Sequence, residues 1–198
     1  MNKIINLQKL KRFQHSGYIW ETKTDNLNYI IENYHFKNTN IWHSKKSFIL
    51  NNRNIYATSQ FGFKILMQYL YKTKINDSQL VKPDEVYVTL DDNKNIKHVK
   101  IIEKKTQSCI GSCDTKILAT HALKLKTQYQ LRYITGSDIA VEYALCLNDW
   151  FKGDKYVIDL TILNHDYKIN TFYGNDIDYY KKVNNWLGIA AEQNVIGF

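Results

Sequence analysis

The chain has 198 residues, 44% of them apolar, and a net charge of +8, enough length and apolar content for one domain with a buried core and too much for intrinsic disorder. No apolar run approaches the roughly 20 residues a membrane helix needs. Met1 to Phe13 intersperses Lys and Arg with apolar residues and lacks the core of a secretory signal, so a soluble, cytoplasmic protein is expected.

Residues 1–57 carry few strong signals. Leu27, Ile30, Ile31 and Tyr34 fall on one face of a helix, and Asn38 to Asn54 reads as a polar loop holding Trp42 and Phe48. Thr58-Ser59 can cap a helix from about Gln60 to Lys72. Phe61, Ile65, Leu66, Met67, Tyr69 and Leu70 make that helix apolar nearly all round, so it is expected to be central and buried.

Glu85 to Leu90 is rich in β-branched and aromatic residues and reads as a strand. Asp91 to Asn95 is a turn cluster, and Ile96 to Lys105 returns as a second strand. Strict alternation puts Ile96, His98, Lys100 and Ile102 on one face and Lys97, Val99, Ile101 and Glu103 on the other. A hairpin sets the start of its first strand beside the end of its second. Asp84 and Glu103 thereby become neighbours, with Lys105 on the face of Glu103.

Gly111-Ser112 is a turn, and Ser112 or Asp114 can cap a following helix. Leu118, Ala122, Leu125 and Tyr129 give that helix an apolar face, with Lys116, Lys124 and Lys126 largely opposite. Ile139 to Leu147 reads as a core strand, followed by a helix through Trp150, Phe151, Val157, Leu160 and Leu163. Tyr167 to Tyr173 is a further strand, and Ile177 to Leu187 a last helix. Helices and strands alternating in this order predict an α/β fold, a central mixed β-sheet flanked by helices. The chain is expected to be a single domain, with 58–187 as its catalytic core and 1–57 as an N-terminal recognition or dimerisation addition.

Three cysteines, Cys109, Cys113 and Cys146, are an odd number at spacings that suit neither a disulfide framework nor a zinc site, so buried thiols are expected. The charge is concentrated. Lys94 to Arg132 holds nine basic residues against Glu103 and Asp114, whereas residues 133–198 carry a net −4. A basic stretch around the paired acids points to a polyanionic partner such as nucleic acid.

Hydrolysing a phosphodiester needs an attacking water and a means of holding negative charge on the phosphate and leaving oxygen. Carboxylates that gather Mg²⁺ provide both, and a lysine beside them can orient the water. Asp84 and Glu103 are the candidate metal ligands, with the backbone carbonyl of Lys104 as a third, and Lys105 is the candidate catalytic lysine. Gln107, two residues on, can support the site, as can Ser112 and Lys116 more remotely.

Pro83-Asp84, then Glu103-Lys104-Lys105-Thr106-Gln107, then Gly111-Ser112 and Asp114-Thr115-Lys116, resemble the PD-(D/E)xK nuclease superfamily, and within it the Type II restriction endonucleases. Leu147 to Phe151 is similar to a strand-to-helix junction of such enzymes. The resemblance spans about residues 58–187. It implies Mg²⁺-dependent cleavage of double-stranded DNA at a short sequence by a homodimer, with Asp84, Glu103 and Lys105 as the motif residues. Many members add an acid from the preceding helix. Gln60 stands there in this chain, leaving Glu85 or Glu32 as the candidate extra acid. A structure- or end-specific repair or phage nuclease on the same core is the alternative, and a DNA-binding module without catalysis a further one.

Overall fold

The computed structural model describes residues 18–34, 36–39, 47–50, 54–108 and 113–189. A seven-stranded sheet runs through them in simple sequence order. Its strands are β1 (Phe36–Asn38), β2 (Ser47–Leu50), β3 (Ile55–Thr58), β4 (Glu85–Leu90), β5 (Ile96–Lys105), β6 (Ala140–Leu147) and β7 (Ile169–Tyr173). β1 to β5 pair antiparallel as a meander. β5, β6 and β7 pair parallel, which requires crossovers through helices. The fold is therefore α/β, a mixed sheet with helices on both faces.

The first face is covered by α2 (Gln60–Tyr71), α3 (Cys113–Leu118), α4 (Thr120–Thr135) and α5 (Val157–His165). Phe63, Leu66 and Met67 of α2, Ile117 of α3, Leu131 of α4 and Leu163 of α5 pack there on Val86, Val99, Ile101, Tyr143 and Leu145. The second face is covered by a helical segment at 18–23, by α1 (Asn26–Asn33) and by α6 (Tyr179–Leu187). Trp20, Leu27, Ile30, Val183 and Leu187 pack there on Tyr87, Ile102, Ala144 and Cys146.

The described residues between 26 and 58 are thus part of the same body: β1 to β3 extend the sheet and α1 covers it. The polar stretch read as a loop contributes β2. Its pairing with β3 supplies the order that its side chains do not advertise. α2 keeps its expected bounds but is not buried all round. Phe61 and Tyr69 are 68% and 51% exposed, because the helix forms an outer layer with only one side against the sheet.

β4 and β5 occupy the spans expected. Their turn is closed by Lys94, whose φ of 65° is left-handed, and by the Asp91 side chain accepting from the Asn95 amide at 2.8 Å. The alternation has one fault. Thr89 pairs with His98 but Leu90 with Ile96, so Lys97 is bulged out. The extra residue moves Ile96 onto the face of Val99 and Ile101, where it joins the core.

α4 differs most from its sequence pattern. A break at Ala119 separates it from α3, and it buries Thr120, Thr127 and Leu131 while exposing Leu125, Tyr129 and Tyr133. The buried threonine is satisfied: Thr127 Oγ1 lies 2.7 Å from the Leu123 carbonyl and 2.7 Å from the Tyr143 hydroxyl. After β6 the chain makes two short 3₁₀ turns, Asp149–Lys152 and Asp154–Tyr156, before α5, so the expected continuous helix starts only at Val157.

Candidate active site at the ends of two paired strands

Glu85 pairs with Ile102, so one step outward Asp84 lies opposite Glu103. The preceding Pro83 is buried and fixes the backbone entering the strand. Asp84 Oδ2 accepts the Lys104 amide at 2.7 Å, which holds its carboxylate against the end of β5. A residue's N–H and C=O leave a strand on the same side, so the Lys104 carbonyl shares that edge with Asp84.

Glu103 points to the first face, beside Leu145 of β6 and close to Tyr143, both fully buried. Its side chain is 13% exposed. Burial pushes its pKa up and the Asp84 charge adds to this, while the Lys105 ammonium opposes both. Lys105 Nζ lies 2.9 Å from Glu103 Oε2 on that face. Asp84, Glu103 and Lys105 are thereby brought together, as the hairpin geometry requires.

Among the described residues, no group of three or more His, Cys, Asp or Glu side chains could hold a metal ion. The donors at hand are two carboxylates and a backbone carbonyl, all hard oxygens. Mg²⁺ keeps several waters and takes one or two carboxylates together with substrate phosphate oxygens, so this set fits that ion.

Neither candidate extra acid joins the site. Glu85 follows Asp84 and must point to the opposite face, where it is 2% exposed. Its Oε1 meets Lys104 Nζ at 2.6 Å and the Asn26 amide at 3.0 Å, and its Oε2 accepts the Tyr87 hydroxyl at 2.7 Å. Asn26 and Asn184 complete this buried polar group by hydrogen-bonding each other. Glu32 is exposed on α1, which packs on that second face. Gln60 begins α2 and lines a cleft of about 580 Å³ that also meets Asp84, Lys64, Lys82 and Asp25.

Gln107 is buried just beyond β5. The Asn148 side chain grips its backbone at both ends, accepting from the Gln107 amide at 3.2 Å and donating to its carbonyl at 2.8 Å. Asn148 thus ties the end of the β5 segment to the end of β6. The sequence pattern marked it only as a strand-to-helix junction, since nothing local announces a contact 41 residues away. Ser112 lies outside the described residues. Lys116 is exposed on α3, and among the described residues no bond joins it to the Asp84–Glu103–Lys105 group. Cys146 is a buried free thiol, its pKa pushed up to about 11 by burial, while Cys109 lies outside the described residues.

No helix of the described residues is long and apolar enough to cross a membrane. Compared with family models, with curated proteins and with solved structures, the chain matches none.

Proposed function

We propose that this protein is a Mg²⁺-dependent endonuclease that hydrolyses double-stranded DNA at a short specific sequence, in the manner of a Type II restriction enzyme. The observation that carries this reading is the placing of Asp84 opposite Glu103 on paired strands, with Lys105 ion-paired to Glu103 on the same face. The net charge of +8 suits a polyanionic substrate.

Asp84, Glu103 and the Lys104 carbonyl would hold the cation. When bound, Mg²⁺ neutralises phosphate charge and makes a coordinated water more acidic. Lys105 has two tasks: its ammonium offsets charge on the phosphate, and its donors orient the attacking water. The water oxygen bonds to phosphorus as the bond from phosphorus to the leaving sugar oxygen breaks; the proton shed by the water passes to solvent, which returns one to the leaving oxygen. Glu103 keeps Lys105 aimed through their ion pair. Asn148 steadies the chain just past Lys105 by its double grip on Gln107. Two copies related by a two-fold axis would cut both strands of a palindrome, so the proposal includes a homodimer. A cytoplasmic setting suits both the substrate and a free thiol.

The test is digestion of plasmid and phage DNA with Mg²⁺ and sequencing of the fragment ends. Discrete fragments sharing one sequence at the cut, and abolished by chelator, support the proposal. Cuts at ends or branches without a common sequence would replace it by a structure-specific nuclease. Salt-sensitive binding with intact DNA would reduce it to a binding module.

A further inference from the structure

The outward face of α4 has no role in the site described above. Leu125, Tyr129 and Tyr133 lie on it at four-residue spacing and are 50%, 72% and 80% exposed. Lys126 and Arg132 are exposed beside them. From Thr115 to Ser137 the chain holds four basic residues and no acidic one. Lys124 is not part of this face, since its ammonium reaches across to the Tyr167 carbonyl at 2.8 Å. Arg132 meets Asp138 at 3.4 Å, but both are well exposed and such a pair is weak.

We infer that this face is a contact surface for the sugar-phosphate backbone of duplex DNA, outside the cleavage site. Two occupants suit a helix face of exposed tyrosines, a second copy of the chain or a polyanion, and the charges decide between them. An antiparallel pairing of two α4 helices centred on Tyr129 sets Leu125 against Tyr133, which is favourable. The same symmetry sets Lys126 against Arg132, so two like-charged pairs meet, with only the exposed Asp138 beside Arg132 to offset them. A phosphate backbone reverses the sign: both cations gain partners, and tyrosine hydroxyls are ready donors to phosphate oxygens. α4 begins fifteen residues after Lys105, beyond α3, and runs roughly 24 Å, about two-thirds of a turn of flanking duplex. The inference shares with the proposed function only its DNA substrate and does not depend on cleavage.

It is tested on the full chain in chelator, where cutting cannot occur, with a fluorescently labelled 30-base-pair duplex of arbitrary sequence. Anisotropy is followed over a range of salt concentrations. Lys126→Ala/Arg132→Ala is expected to weaken binding and to lower the slope of log affinity against log salt by about 1.8, at about 0.9 for each lost phosphate contact. Tyr129→Phe/Tyr133→Phe, which removes only the two hydroxyls, is expected to weaken binding with little change in slope. Sedimentation of the same variants reads their mass. Affinity and slope equal to wild type in both variants overturn the inference, as does a wild type that does not bind the duplex. So does a tighter dimer in the Lys126→Ala/Arg132→Ala variant with its DNA binding intact, since relief of the like-charged pairs would show that the face belongs to a second copy. Failure of the nuclease reading shows elsewhere, as wild type that binds DNA yet leaves it uncut in Mg²⁺.

Discussion

Lys104 Nζ and Glu85 Oε1 lie 2.6 Å apart, with the two side chains only 6% and 2% exposed, on the sheet face opposite Glu103 and Lys105. Two neighbouring lysines at the end of one strand therefore belong to different layers. Burial alone would lower the Lys104 pKa. The Glu85 charge and hydrogen bond, with Asp25 and Cys146, outweigh it, and the pKa is raised.

Removing one member of that pair strands the other charge in the interior. Lys104→Met or Glu85→Gln alone is expected to destabilise the fold by about 3–5 kcal/mol. The double variant should recover much of this, and urea unfolding of the four proteins closes the cycle. Additive losses would show that the two side chains do not act as a pair.

Glu103 behaves in the opposite sense. Its folded pKa is raised, so the folded chain binds more protons than the unfolded chain at pH between the two values. Stability due to this group therefore falls as pH rises through that window and stays reduced above it. Glu103→Gln should melt above wild type at pH 8, with an advantage that shrinks as pH falls through the window, while cleavage is lost. A melting difference that does not vary with pH would contradict this.

Metal binding couples to the same acids. Mg²⁺ bound only by the folded state stabilises it by about 2.7 kcal/mol at a hundred times its Kd. Wild-type melting temperature should rise with Mg²⁺, and Asp84→Asn and Glu103→Gln should remove the rise. An equal rise in all three would place the ion elsewhere.

The site was more legible than the body that carries it. Period two and a turn cluster suffice to bring Asp84, Glu103 and Lys105 together, because a hairpin is a local structure. The same local rule failed at Ile96, where the bulge at Lys97 shifts the register without any side-chain signal. It failed again on α4, where apolar residues were expected inward. There the sheet accepts Thr127 because Tyr143 and the Leu123 carbonyl satisfy its hydroxyl, a pairing invisible to a hydrophobic count. Glu85 looked like a spare acid for the site. Its commitment to Lys104, Asn26 and Tyr87 depends on α1 docking on the far face, with Asn26 59 residues away from it in sequence.

The most direct test compares wild type with Lys105→Ala on duplex DNA in Mg²⁺, under single turnover, with melting curves taken alongside. Truncating Lys105 removes the ion-pair partner of Glu103 and is expected to cost stability, so the melting curves establish that the variant is folded at the assay temperature. The expected result is cutting by wild type that stops in chelator, and a rate lower by about 10²–10⁴ in the folded variant. Equal rates for the two proteins, or DNA left whole by folded wild type across many sequences, would contradict a metal-dependent site at Asp84, Glu103 and Lys105.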